Sequence, residues 1–239
     1  MFLIDKDTDV ALFRNGSFVD SLATCRDRGY IPLVLPQIHD LMYDNVAFRT
    51  SAHTSLSVRI IGQTKVGAKV AVYVHDLGSW ADPKYWRKTA LVYDMLPIPK
   101  GEFLKLIEAD EEQFSDGTYR VRVLPLEDDR TYICSLGIEE VKCNRDYLAY
   151  FGSRKRLDRF LAGEQDSTPG KASGREKRYD PIFITGFGHA IADVGLASTL
   201  RSRIYGEKNG WEAPYPVFGR RSQTPLLDRF KSYLPQAFQ

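Results

Sequence analysis

Leu56, Val58 and Ile60 alternate with Ser57 and Arg59, and Val70, Val72 and Val74 alternate with Ala71 and Tyr73. Alternation at every second position sorts side chains onto the two faces of a strand. The two runs flank Gly62-Gln63-Thr64-Lys65-Val66-Gly67 and predict a β-hairpin. A different spacing precedes them. Phe18, Val19, Leu22, Ala23 and Cys25 share one face of a helix predicted from Ser17 to Arg28, with Gly29 as its stop. Tyr30 to Pro36 is apolar and extended, and its prolines place it at a sheet edge or boundary. A short helix follows around Gln37 to Tyr43.

Asp82-Pro83 supplies an N-cap and a first-turn proline for a helix through Trp86, Leu91 and Tyr93. A second helix is predicted over Glu102 to Asp110. Asp116-Gly117 marks a turn before another hairpin, 119–126 with 131–136, joined by Glu127-Asp128-Asp129-Arg130. Ser153 caps a basic amphipathic helix from Arg154 to Leu161 that ends at Gly163. Pro181 to Thr185 reads as a strand running through Gly186-Phe187-Gly188 into a helix from His189 to Ile204. Residues 205–223, dense in Gly, Pro and rings, read as an extended arm, and Thr224-Pro225 opens a terminal helix.

These elements predict an α+β fold: antiparallel β-hairpins flanked by helices, with a strand-turn-helix C-terminal unit and an extended terminal arm. The expected division is a main domain over 1–163, a linker or mobile loop over 164–179 rich in small and charged residues, and a smaller unit with its arm over 180–239. The last can also pack as one domain with the first.

With 43% hydrophobic and 27% charged residues in 239, the composition is that of a globular protein. The apolar runs are far shorter than the roughly 18 to 20 residues of a membrane helix, so no membrane contact is expected. The N-terminus lacks the pattern of a secretory leader, which predicts a cytoplasmic protein. Cys25, Cys134 and Cys143 form no Cys-x-x-Cys unit and read as structural thiols.

Charge changes the picture. Residues 1–150 carry 18 Lys and Arg against 22 Asp and Glu, whereas 151–239 carry 15 against 9. The excess positive charge includes Arg154, Lys155, Arg156 and Arg159 on one predicted helix, Lys171, Arg175, Lys177 and Arg178 in the linker, then Arg201, Arg203, Arg220 and Arg221. Such a set suits the phosphates of a DNA or RNA backbone, and Tyr179, Trp211, Tyr215 and Phe218 could stack on bases. The leading expectation is therefore a nucleic-acid-associated accessory protein. Arg and aromatic residues serve protein interfaces equally well, so a structural subunit that docks on a partner through 205–239 is an alternative.

A second alternative is an enzyme acting on a nucleotide or phosphoester. Gly186 and Gly188, between a strand and a helix start, would turn backbone N–H groups toward a phosphate. His189 and Asp193 would share a helix face as an acid–base or metal-binding pair. The dinucleotide fingerprint fails at Ile191 and no phosphate-loop Lys-Ser or Lys-Thr follows, so no cofactor is named and no metal is expected. The stretch Gly186 to Leu196 loosely resembles the glycine-rich, RNA-gripping loop of the repeat-processing endoribonucleases of CRISPR systems.

His53 with the doublet His75-Asp76 resembles the start of the HD-domain phosphohydrolases, in which a histidine, a His-Asp doublet and a later aspartate hold metal. That family sets the doublet at a helix end. Here it closes an alternating valine strand, where local turn hydrogen bonds are expected. The acidic groups Glu108 to Glu112 and Glu127 to Asp129 read as solvated surface.

Overall fold

In a computed structural model that describes residues 2–5, 9–44, 54–89, 96–126, 137–166, 189–191, 196–201 and 216–221, helices and mainly antiparallel strands form an α+β fold. The first group of strands is β1 (Phe2–Asp5), β2 (Val10–Phe13), β3 (Tyr30–Pro32) and, from far along the chain, β10 (Val217–Arg221). β10 runs antiparallel between β2 and β3, with Gly219 opposite both Ala11 and Pro32. Alternate residues of these strands face opposite ways. Ala11, Phe13 and Val217 meet Phe18, Leu22 and Cys25 of helix α1 (Phe18–Asp27). Val10 and Phe218 meet Ile38 and Leu41 of helix α2 (Leu35–Asp44) on the other side.

α1 begins where the sequence says it should. Ser17 Oγ accepts the Asp20 N–H at 3.2 Å and Asp20 Oδ2 accepts the Ser17 N–H at 3.4 Å, a closed capping box.

The predicted hairpin is β4 (Thr54–Gln63) and β5 (Lys69–Val74), extended by β7 (Val121–Pro125) pairing antiparallel with β5. Leu56, Val58, Ile60, Val72, Val74 and Val121 cover one face of this sheet. Against them pack Trp80, Trp86 of α3 (Pro83–Lys88) and Phe103 of α4 (Lys100–Glu108). As expected, α3 starts on Asp82, whose Oδ1 accepts the Lys84 N–H, with Pro83 in the first turn.

The opposite face is not left to water. α5 (Ile138–Cys143), α6 (Arg145–Phe151) and α7 (Arg154–Asp166) lie over Ala71, Tyr73 and Leu124, contributing Val141, Tyr147, Tyr150, Phe151, Leu157 and Leu161. This layer buries Ser55, Ser57 and Arg59, the polar alternates of β4. α6 ends at Gly152, whose φ of 71° is left-handed. A side chain there would also strike Thr118, Pro36 and His75.

Several expectations are corrected. The helix from His189 to Ile204 is replaced by strands β8 (His189–Ile191) and β9 (Leu196–Arg201), which lie along β4, while β6 (Leu96–Pro97) pairs with β9. Ladder hydrogen bonds to β4 outweigh the helical spacing of the apolar residues there. Part of the expected C-terminal arm is β10, a strand inside the N-terminal sheet. α7 runs through Gly163 to Asp166, because a single glycine costs a helix only about 1 kcal/mol. The expected strand over 131–136, the strand over 181–185 and the terminal helix lie outside the described residues. Among the described residues no helix is long and apolar enough to cross a membrane.

Candidate functional site

The polar interior is organised around His75, at the end of β5 and 1% exposed. Its Nε2 lies 2.7 Å from the Ala149 carbonyl, which can only accept, so Nε2 carries the proton. Nδ1 is then an acceptor and receives the Ser57 hydroxyl at 2.8 Å, while Ser57 Oγ accepts the Leu35 N–H at 2.8 Å. One imidazole thereby links α6, β4 and the first turn of α2. Burial lowers its pKa to about 4, with the Arg156 charge adding to the effect. His75 is neutral at pH 7 and both its nitrogens are engaged within the frame.

Asp76, the other half of the doublet, turns outward. Its Oδ1 accepts the Leu77 N–H at 2.8 Å, and its Oδ2 is held by the guanidinium of Arg120. Arg120 also reaches Glu112 at 3.3 Å and lies over the Phe114 ring. Asp76, Glu112 and Arg120 border a cleft of about 250 Å³ between α4 and the ends of β5 and β7. Leu77, Leu106, Val74 and Val121 give it an apolar floor. Glu102 and Lys105 of α4 complete its rim. Sequence reasoning passed over Glu102 and Lys105. Their spacing of three along a predicted amphipathic helix put both on one face, but nothing local says that a cleft lies beneath.

The acidic run after α4 is more than solvated surface, since Arg122 approaches Asp110 at 3.6 Å and Glu111 at 2.7 Å, and Arg120 holds Glu112. The run over 127–129 lies outside the described residues.

Of the twelve basic residues singled out for phosphate, Arg156 is a structural clamp. Its side chain is 12% exposed and its guanidinium meets Asp40 at 2.7 Å and Asp116 at 3.2 Å, with a further bond to Thr118. Arg154 donates to the Lys142 carbonyl, Arg159 lies over the Tyr43 ring and Arg221 over the Tyr30 ring. Lys155 and Arg220 are exposed. The helix also carries Asp158, Glu164 and Asp166, so its net charge is small. Arg201 lies in β9, whereas Lys171, Arg175, Lys177, Arg178 and Arg203 lie outside the described residues.

His189 stands in β8 and not at a helix N-terminus, and Asp193, Gly186, Gly188 and His53 lie outside the described residues. Among the described residues no group of three or more His, Cys, Asp or Glu side chains is placed to hold a metal ion.

The clamp gives a direct expectation. Arg156→Met should lower stability by about 2 kcal/mol in urea unfolding, since the carboxylates it leaves behind are partly hydrated. Arg156→Lys should recover little of that loss, lacking the planar fork that spans two carboxylates. A variant as stable as the parent would show the clamp to be inert.

No protein-family model and no curated protein matches the sequence. A solved structure from Nanoarchaeota, described as accommodating massive sequence variation by the C-type lectin fold, is similar with a TM-score of 0.64. The match covers 90% of this chain and 95% of that one at 18% identity. The fold is similar to the C-type lectin fold. In this lectin-like frame, His75 from beneath and Arg156 from within α7 hold the α5–α7 layer in place, while the Glu102 cleft opens on the other side of the sheet.

Proposed function

We propose that the protein is a recognition protein that binds another protein through surfaces carried on its lectin-like frame. The observation that carries this reading is the likeness over most of the chain to a fold described as accommodating massive sequence variation. A frame whose interior is self-sufficient can vary its surface without losing stability, and recognition uses that freedom. The side chains that suggested chemistry fit the same reading, because His75 and Arg156 are occupied in holding layers together.

Selection of a random peptide library on the immobilised protein tests it. Enriched peptides should converge on a shared motif and bind saturably in solution. Failure to converge overturns the reading. So does saturable binding of a short DNA or RNA strand that weakens steeply between about 50 and about 200 mM salt, the signature of backbone-phosphate contacts. That result would restore the nucleic-acid alternative, with Lys155 and Arg220 as the first positions to neutralise.

A further inference from the structure

The cleft beside α4 contains a carboxylate that has no counter-charge among the described residues. Glu102 Oε1 accepts the Ser79 N–H at 3.1 Å, a neutral donor. Among the described residues no cationic nitrogen lies within ion-pair distance of Glu102, whereas Asp76 and Glu112 both have Arg120. Glu102 is only partly exposed, and it fits there because position 78 is glycine: a Cβ at Gly78 would stand 2.8 Å from Glu102 Oε1 and 2.4 Å from the Trp80 ring. Lys105, three residues along the helix, is exposed and makes no ion pair with it. Three acids, Asp76, Glu102 and Glu112, face two bases, Lys105 and Arg120, so the rim carries a net negative charge.

A half-buried carboxylate beside apolar surface gains from a cation that brings its own apolar stem. We propose that this cleft receives a lysine side chain of a protein partner, its methylenes over Leu77 and Leu106 and its ammonium on Glu102. Lysine fits better than arginine. With Asp76 and Glu112 committed to Arg120, Glu102 is the carboxylate left to receive a new donor, and a point charge needs no second one, whereas a guanidinium fork does. The inference rests on the reading of the chain as a protein-binding one and names what one of its surfaces takes.

The test is an NMR titration of the full chain with a capped Gly-Lys-Gly peptide, its norleucine counterpart and n-butylamine. The lysine peptide should shift the Leu77, Leu106 and Val121 methyl signals saturably, and norleucine should bind about tenfold more weakly, the loss of one charge-assisted contact. Glu102→Gln keeps an oxygen for the Ser79 N–H and should weaken the lysine peptide by a similar factor, with its melting temperature as the control for folding. Lys105→Gln should tighten binding by removing a like charge. Equal binding of norleucine, shifts outside the cleft, or an unchanged affinity in Glu102→Gln overturns the inference. n-Butylamine should bind more weakly than the lysine peptide, and binding as tight as the peptide's makes this a free-amine site and overturns the partner. If library peptides converge but ignore Glu102→Gln, only this inference falls; if none converge, the protein-binding reading falls with it.

Discussion

Gly219→Ala is expected to destabilise the protein by about 3 kcal/mol, the upper part of the range for overpacking a core. Gly219 lies in β10 between β2 and β3, facing α1. A Cβ there would stand 2.5 Å from Cys25 Sγ, 3.0 Å from Tyr30 Cβ and 3.2 Å from Phe13 Cε2. The cost arises because none of these can withdraw. Cys25 and Phe13 are fully buried, and the Tyr30 Cβ is tied to the backbone of β3. In a protein with about 5 to 15 kcal/mol of total stability, that is a large share. Cys25→Ala removes the closest atom, so the double variant should be more stable than the two single losses added together. Urea unfolding of the four proteins in the cycle measures the coupling. A Gly219→Ala protein within about 0.5 kcal/mol of the parent would show that α1 can shift away from the sheet.

The second large effect is on acid stability. The folded pKa of His75 is lowered to about 4 from an ordinary 6.5, so the unfolded chain binds this proton more readily than the folded one. Stability from this group is complete above pH 6.5, declines as pH falls below it and is exhausted near pH 4. The shift corresponds to roughly 3 kcal/mol. Among the described residues the carboxylate pKa values that are clearly moved, those of Asp20 and Asp116, are lowered and act further down the scale. A plot of unfolding free energy against pH should therefore slope between 6.5 and 4. In His75→Gln the slope should flatten over that window, although the variant is less stable at pH 7. A parent protein with level stability from pH 7 to 4.5 would contradict the neutral, buried assignment.

Much of the frame was readable wherever local chemistry decides it. Ser17, Asp82 and Ser153 mark helix starts, and the alternation over 56–60 and 70–74 marks the central hairpin, because caps and face periodicity act within a few residues. The short helices α5 and α6 carried signals as well. Glu140 Oε2 accepts the Gly137 N–H at 2.6 Å and Asn144 Oδ1 accepts the Tyr147 N–H at 3.1 Å, each a cap that the sequence spells out. The candidate sites were less legible. Arg156 and Lys155 are adjacent and chemically alike, yet one is clamped by Asp40, 116 positions away, and the other is exposed.

The α+β class, the helix starts at Ser17, Asp82 and Ser153 and the central hairpin could be read from the chain alone, because each is set by neighbours a few residues away. The place of β10 between β2 and β3, the pairing of residues 189–191 and 196–201 along β4 and the helical layer over Ser57 and Arg59 were set by long-range packing. Period-two alternation sorts side chains onto two faces but cannot tell which face a distant segment will cover. Strand pairing across two hundred residues is chosen by edges and burial that exist only once the chain has folded.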